Sequence, residues 1–279
     1  MAYDNTYLLD MIDKKAAVPT NQNTFSRAEV LEVATDAIME EVLPDLLKSR
    51  QEFLITYDDL ATTKRTSDNY YWIRIPYRAV GQAIISVCSP DDDSEIDQSS
   101  YWVENNKIYF DHQFLTTYRI RYYLRPGHLI EASAAGTITT IDRTTGVITT
   151  SARPTAFTTG LSYDFVRGKA GFDLLAKDLT CSAIPTSPTT SMTFTVADIP
   201  SELEAGDYIC IADQSPVPQL PVEWFPYVAS YTAASILNSL GDREAATKIE
   251  ASLERLKKNA LNIIAPRIEK VSKAIVSRY

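Results

Sequence analysis

Two periods of hydrophobic spacing run along this chain, and the points where one gives way to the other divide it into three. Ser26 followed by Glu29 is a capping-box signature for a helix start. Beyond it Val30, Val33, Ala34, Ala37, Ile38 and Val42 recur at helical spacing, with Glu29, Glu32, Asp36 and Glu40 turned away. Pro44 is expected to bend or restart the helix before Leu46, Leu47 and Arg50. The apolar segment Tyr7 to Ile12 predicts an earlier helix, joined to the first by Pro19 and the polar run Thr20 to Thr24.

Near Tyr70 the period changes from 3.6 to 2. Tyr71, Ile73, Ile75 and Tyr77 fall on one face of a predicted strand, with Pro76 marking an edge or the strand's end. Lys107 to Phe110 and Tyr118 to Leu124 read as further strands, the second with Tyr118, Ile120, Tyr122 and Leu124 on one side. Sixteen threonines between residues 137 and 195 favour strand. Thr137 to Ile141 and Gly146 to Thr150 flank Asp142-Arg-Thr-Thr145 as a hairpin. Met192 to Val196 and Tyr208 to Ile211, the latter after the turn pair Gly206-Asp207, complete the β region.

Helical spacing returns with Trp224, Val228, Tyr231, Ser235 and Leu237 or Asn238, and Gly241-Asp242 separates this helix from the next. The second carries Ala246, Ile249, Leu253, Leu256, Ala260 and Ile263 on one stripe, with Lys248, Arg255 and Lys258 opposite, until Pro266. The pattern predicts an α+β fold: a helical bundle from both chain termini with a large inserted antiparallel β domain. Residues 1–65 would form the N-terminal helical part and 66–212 the β domain. Residues 213–279 would form a helical hairpin and tail that complete the helical domain.

Composition narrows the class. The 279 residues, 45% hydrophobic and 23% charged, suit a folded chain, and no apolar run reaches the roughly 18 residues of a membrane helix. An acid among the first residues and no long apolar run argue against a secretory signal. Three widely spaced cysteines without a C-x-x-C disfavour a disulfide framework or zinc site. A net charge of −9 argues against general nucleic-acid binding. Its distribution is uneven: residues 1–60 carry five Lys/Arg against twelve Asp/Glu, and residues 243–279 carry nine against four.

Signatures of catalysis are sparse. The two histidines, His112 and His128, sit in expected loops. Asp91 to Asp97 holds five carboxylates in seven residues but lacks the glycine and spacing of a calcium loop, so an acidic turn is expected. No dinucleotide, phosphate-loop, nucleophile-elbow or H-E-x-x-H motif occurs, although paired carboxylates brought together from distant strands stay open. No catalytic, metal or cofactor residues are assigned, and an enzyme is the least supported class. Arg119, Arg121, Tyr123 and Arg125 share the polar face of one strand. That set suits stacking on single-stranded nucleic acid, salt bridges to acids on neighbouring strands, or contact with another subunit.

Several segments together resemble the head-to-tail connector or adaptor ring proteins of tailed bacteriophages. They are Phe25-Ser-Arg-Ala-Glu-Val-Leu, Val42-Leu-Pro-Asp-Leu-Leu, Arg50-Gln-Glu-Phe-Leu, Tyr71-Trp-Ile-Arg-Ile-Pro-Tyr-Arg-Ala, Gly206-Asp-Tyr-Ile-Cys-Ile-Ala, Gln219-Leu-Pro-Val-Glu-Trp and Leu240-Gly-Asp-Arg-Glu-Ala. The resemblance implies a homo-oligomeric ring, commonly of twelve, beneath the portal protein at the phage neck. Such a ring extends the DNA channel without sequence-specific binding and offers a platform to the next tail or neck component. It also implies docking of the basic C-terminal segment on the portal, with Arg267, Lys270, Lys273 and Arg278 as charges and Val271, Ile275 and Tyr279 as apolar contacts. The rival readings are a tail-hub or tube component and, from sixteen tyrosines and three tryptophans, a carbohydrate-binding module.

Overall fold

The computed structural model describes residues 3–16, 24–65, 70–169, 173–185 and 190–264. The chain is mixed helix and antiparallel sheet, an α+β protein. α1 (Asn5–Ala16) precedes α2 (Arg27–Ala37), which opens with the expected capping box. The amide of Glu29 donates to Ser26 Oγ at 3.2 Å, and the amide of Ser26 donates to the Glu29 carboxylate at 2.7 Å. Pro44 does not break the helix. The backbone widens into one π turn, Ile38–Val42, with the Leu43 amide donating to the Ile38 carbonyl. α3 (Leu43–Ser49) follows without a break, with Pro44 in its first turn directly after the π turn.

α4 (Phe225–Ser239) is joined to α5 (Arg243–Ile264) through Gly241 at φ 85°. α4 packs on α1, α2 and α5. One apolar core therefore takes in Leu8, Leu31, Val42 and Leu46 together with Trp224 and Ala246. The sequence stripe understates α4, which also buries Phe225, Tyr227, Ala229, Ala233 and Ile236. On α5 the stripe needs correcting at its end. Ile264 is buried while Ile263 is 66% exposed, because the face that holds Ala260 returns after four residues. Leu253 and Leu256 are only half-buried against the core.

In chain order the strands begin with β1 (Ile55–Ala61), β2 (Thr63–Lys64), β3 (Tyr71–Arg74) and β4 (Ser86–Cys88). β5 (Tyr101–Glu104), β6 (Lys107–Phe110), β7 (Thr117–Tyr123) and β8 (His128–Leu129) follow. The remainder are β9 (Gly136–Asp142), β10 (Val147–Thr150), β11 (Ser162–Val166), β12 (Leu174–Thr180), β13 (Ser191–Thr193), β14 (Tyr208–Ile211) and β15 (Gln214–Ser215). They form sheets ordered β1-β7-β4, β2-β3-β6-β5 and β12-β11-β14-β9-β10-β13, with β15 and β8 as a short parallel pair. The expected hairpin is β9–β10, and Asp142 holds its turn by accepting from the amides of Thr144 and Thr145.

Three expectations shift. Sheet begins at Ile55, inside the segment read as helical, because β1 pairs along its whole length with β7. Tyr77 leaves the buried face and is 58% exposed, since the ladder stops at Arg74 and the Ala79 amide turns back onto the Pro76 carbonyl. The Met192–Val196 strand ends at Thr193, and Val196 lies in an exposed 3-10 turn.

Ile73, Ile108, Phe110, Tyr118, Ile120 and Tyr122 form one β core, and Ile138, Ile148, Tyr163, Phe165, Met192 and Ile209 belong to another. Asn5, fully buried, ties α1 to the short parallel pair by donating to the carbonyls of Ile130 (2.6 Å) and Ser215 (2.9 Å). Thr35 does the same for α2, its hydroxyl oxygen accepting from the Leu129 amide at 3.0 Å.

Candidate functional site

The densest polar chemistry lies where the β1-β7-β4 sheet meets the six-stranded sheet. It begins with a register fault. Tyr163 pairs with Leu179 but Phe165 pairs with Ala176, so Lys177 and Asp178 together oppose Asp164. This is a β-bulge, and Asp178 takes φ 57° within it. The fault turns both side chains out of the ladder toward the neighbouring sheet.

Arg78, in the turn after β3, reaches into this junction from the other side. Its guanidinium is 1% exposed and lies 2.8 Å from the Asp164 carboxylate, itself fully buried. Asp178 and Asp213 stand farther off, each 3.7 Å from the guanidinium. Asp164 also accepts from the amides of Asp178 (2.9 Å) and Asp213 (3.3 Å). A buried charge needs such a complement of partners to be held at all. Burial pushes the Asp164 carboxyl above its ordinary range, and Arg78 with the Asp178 amide pulls the other way. Burial also disfavours the charged Arg78, but the three surrounding carboxylates outweigh it and raise its pKa.

Lys177 forms a second pin. Its ammonium contacts the Asp58 carboxylate and donates to the Tyr57 carbonyl (2.7 Å) and Tyr122 Oη (2.9 Å). Tyr122 in turn donates to Asp58 at 2.8 Å, and burial followed by the Asp58 charge raises its phenol pKa. Tyr77 donates to Asp178 at 3.0 Å, which closes the rim. A cavity of 480 Å³ lies between these groups, walled by Leu60, Ile75, Pro76 and Tyr122. Asp58 and Lys177, and Arg78 with Asp164 and Asp178, are engaged with one another, so the arrangement chiefly fixes one sheet against the other.

The arginine face of β7 is occupied within the chain. Arg119 makes a two-pronged pair with Asp59, its register partner on β1, both contacts at 2.8 Å. Its guanidinium also lies 4.1 Å from the centre of the Tyr57 ring. Asp93, from the acidic turn, meets both Arg119 (3.2 Å) and Arg121. Tyr123 donates to Gln51, and Arg125 lies 3.4 Å from Asp213. The geometry displays salt bridges on this face, to Asp59 on the neighbouring strand β1 and to Asp93 and Asp213 in turns.

His112 and His128 are exposed, and Cys88, Cys181 and Cys210 are free and buried. Among the described residues no group of three or more histidine, cysteine or acidic side chains is arranged to hold a metal ion. Arg267, Lys270, Val271, Lys273, Ile275, Arg278 and Tyr279 lie outside the described residues. Sequence reasoning passed over Arg78, Asp164, Lys177 and Asp178. One signal was present: Asp164 is the lone acid in the apolar strand Tyr163-Asp-Phe-Val166.

No protein-family model matches this chain, and no curated protein is significantly similar to it.

Proposed function

We propose that this chain is a structural virion protein, a head-to-tail adaptor that assembles as a ring, of twelve copies by the family resemblance, beneath a portal protein. The observation that carries the reading is the core shared by α1, α2 and α3 with α4 and α5. It supports a helical bundle built from both chain ends, with the antiparallel β region, from Ile55 onward, inserted between them. A helical body of this kind packs side by side with its copies, and the β region offers edges and faces to a neighbour or to the next tail component. The acidic balance of the chain suits a channel through which DNA passes without adhering, since phosphate affinity rises with each neutralised charge. In this reading Arg267, Lys270, Lys273 and Arg278 steer the C-terminal segment to the portal, and Val271, Ile275 and Tyr279 supply apolar contact. The protein resides in the phage neck. No helix among the described residues is long and apolar enough to cross a membrane.

One observation favours the carbohydrate-module alternative. Trp72, Tyr109 and Trp102 occupy one row across β3, β6 and β5. Their faces are already used, however. Trp102 stacks on Tyr109 at 5.4 Å, and Lys107 covers Trp72 at 4.1 Å, so the row serves first as cross-strand packing. Native mass measurement and particle imaging of the purified protein test the proposal. A ring, alone or on portal-bearing particles, supports it, and a monomer that neither assembles nor joins such particles overturns it.

A further inference from the structure

We propose that the groove between the outer edges of β1 and β12 is a docking site for the chain's own C-terminal segment, residues 265–279. The groove is made of two cavities that share Thr56 and Leu174. One, of 290 Å³, runs beside Glu52 to Thr56, and the other, of 880 Å³, beside Thr56 to Asp59 and Leu174 to Lys177. Among the described residues β1 pairs only with β7 and β12 only with β11, so each wall is a sheet edge. Lys177 crosses the gap to the Tyr57 carbonyl. Exposed apolar side chains follow the β1 side: Phe53 at 48%, Ile55 at 46% and Tyr57 at 51%. Unpaired edges bordered by apolar side chains are where a protein takes up a further stretch of chain.

Three features select the C-terminal segment as occupant. The first is where α5 ends. Arg50 donates to the carbonyl of Ile264 at 2.8 Å, pairs with Glu52 and lies 5.0 Å over the Phe53 ring. Ile264 is thereby held at the groove's mouth. The second is length, because the segment can span up to ~50 Å, whereas Glu52 to Asp59 covers only ~26 Å. The third is charge. Glu52, Asp58, Asp59, Asp173 and Asp198 line the groove against Lys177, while the segment carries Arg267, Lys270, Lys273 and Arg278 against Glu269. Most of these carboxylates already have cationic neighbours, so charge sets orientation, and burial of Ile268, Val271, Ile275 and Tyr279 beside Phe53, Ile55 and Tyr57 supplies the larger part of the stabilisation. The inference concerns the free chain and does not depend on the portal; if the segment also serves the portal, the two sites compete for it.

The test uses the full-length chain carrying Ala197→Cys, on the exposed side of the groove, with Ile275→Cys, and a short bismaleimide as cross-linker. Cys88, Cys181 and Cys210 are buried and do not compete. The expected product is an internally cross-linked monomer, its yield falling several-fold at high salt or with Asp198→Lys added. A control pairing Ile275→Cys with Ser99→Cys, away from the groove, should give little. Absence of the product, equal yield from the control, or cross-linking chiefly between two copies would each overturn the proposal. The last outcome would assign the groove to a neighbour's segment instead. Each readout is made without portal or phage particles, so failure here leaves the adaptor reading to its own test.

Discussion

The helical side of this protein and the seam between its three-stranded and six-stranded sheets are joined by opposite means. Around α4 the contact is apolar and continuous, with Leu31, Trp224 and Ala233 fully buried. Along the seam the two cores form separate clusters, with Leu174 of β12 reaching the core of Ile120 and Tyr122, and the polar connection is carried by Arg78 on Asp164 and Lys177 on Asp58 and Tyr122. Apolar packing is non-directional and tolerates small adjustments, whereas a buried ion pair holds only while every partner is in place. The helical region is therefore robust by area, and the seam is specific by geometry but exposed to failure at single residues.

Removing one partner should break the seam most sharply. Arg78→Ala leaves Asp164 buried without its counter-charge and is expected to cost about 3–5 kcal/mol, read from the denaturant midpoint. The double variant Arg78→Met with Asp164→Leu should recover much of that loss, because both desolvated charges are gone. If it is no more stable than Arg78→Ala, the pair does more than compensate its own burial.

The apolar side should answer in proportion to burial. Leu31→Ala, at a site with no exposure, is expected to cost about 2–5 kcal/mol. Leu253→Ala on half-buried α5 should cost less than about 2 kcal/mol. Equal losses at the two sites, again from denaturant midpoints, would mean that the outer face of α5 is covered in the protein as purified.

A smaller effect concerns pH. Burial raises the Asp164 pKa in the folded chain, so the folded state holds this proton more tightly than the unfolded state. The contribution of the group to stability is complete below the ordinary carboxylate pKa and declines as pH rises through its raised value. The stability of wild type minus that of Asp164→Asn should fall over that interval. A difference that grows with pH would show that Arg78 outweighs burial. Smallest of all is the open face of β7, where Arg119→Ala should cost at most about 1 kcal/mol, and less at high salt. A larger, salt-insensitive loss would place this face among the specific contacts of the seam.

Local rules are what the sequence by itself determined. The capping box at Ser26 and Glu29, the two-residue alternation of Tyr118, Ile120 and Tyr122, and the hairpin turn at Asp142 each depend on neighbours a few residues away. Those relations are written directly in the chain. The α+β class follows from the same periods. Only the tertiary structure decided which polar residues would be buried. Arg78 and Asp164 lie 86 positions apart, and Asp58 and Lys177 lie 119 apart. Their meeting depends on a bulge in β12 and on the placement of one sheet against another, neither of which has a period. Asp213 and Arg125 likewise gain their places from chain geometry and not from their neighbours in sequence. A hydrophobic face announces itself by repetition. A polar contact between distant strands exists only once the fold has brought its members within a hydrogen bond of each other.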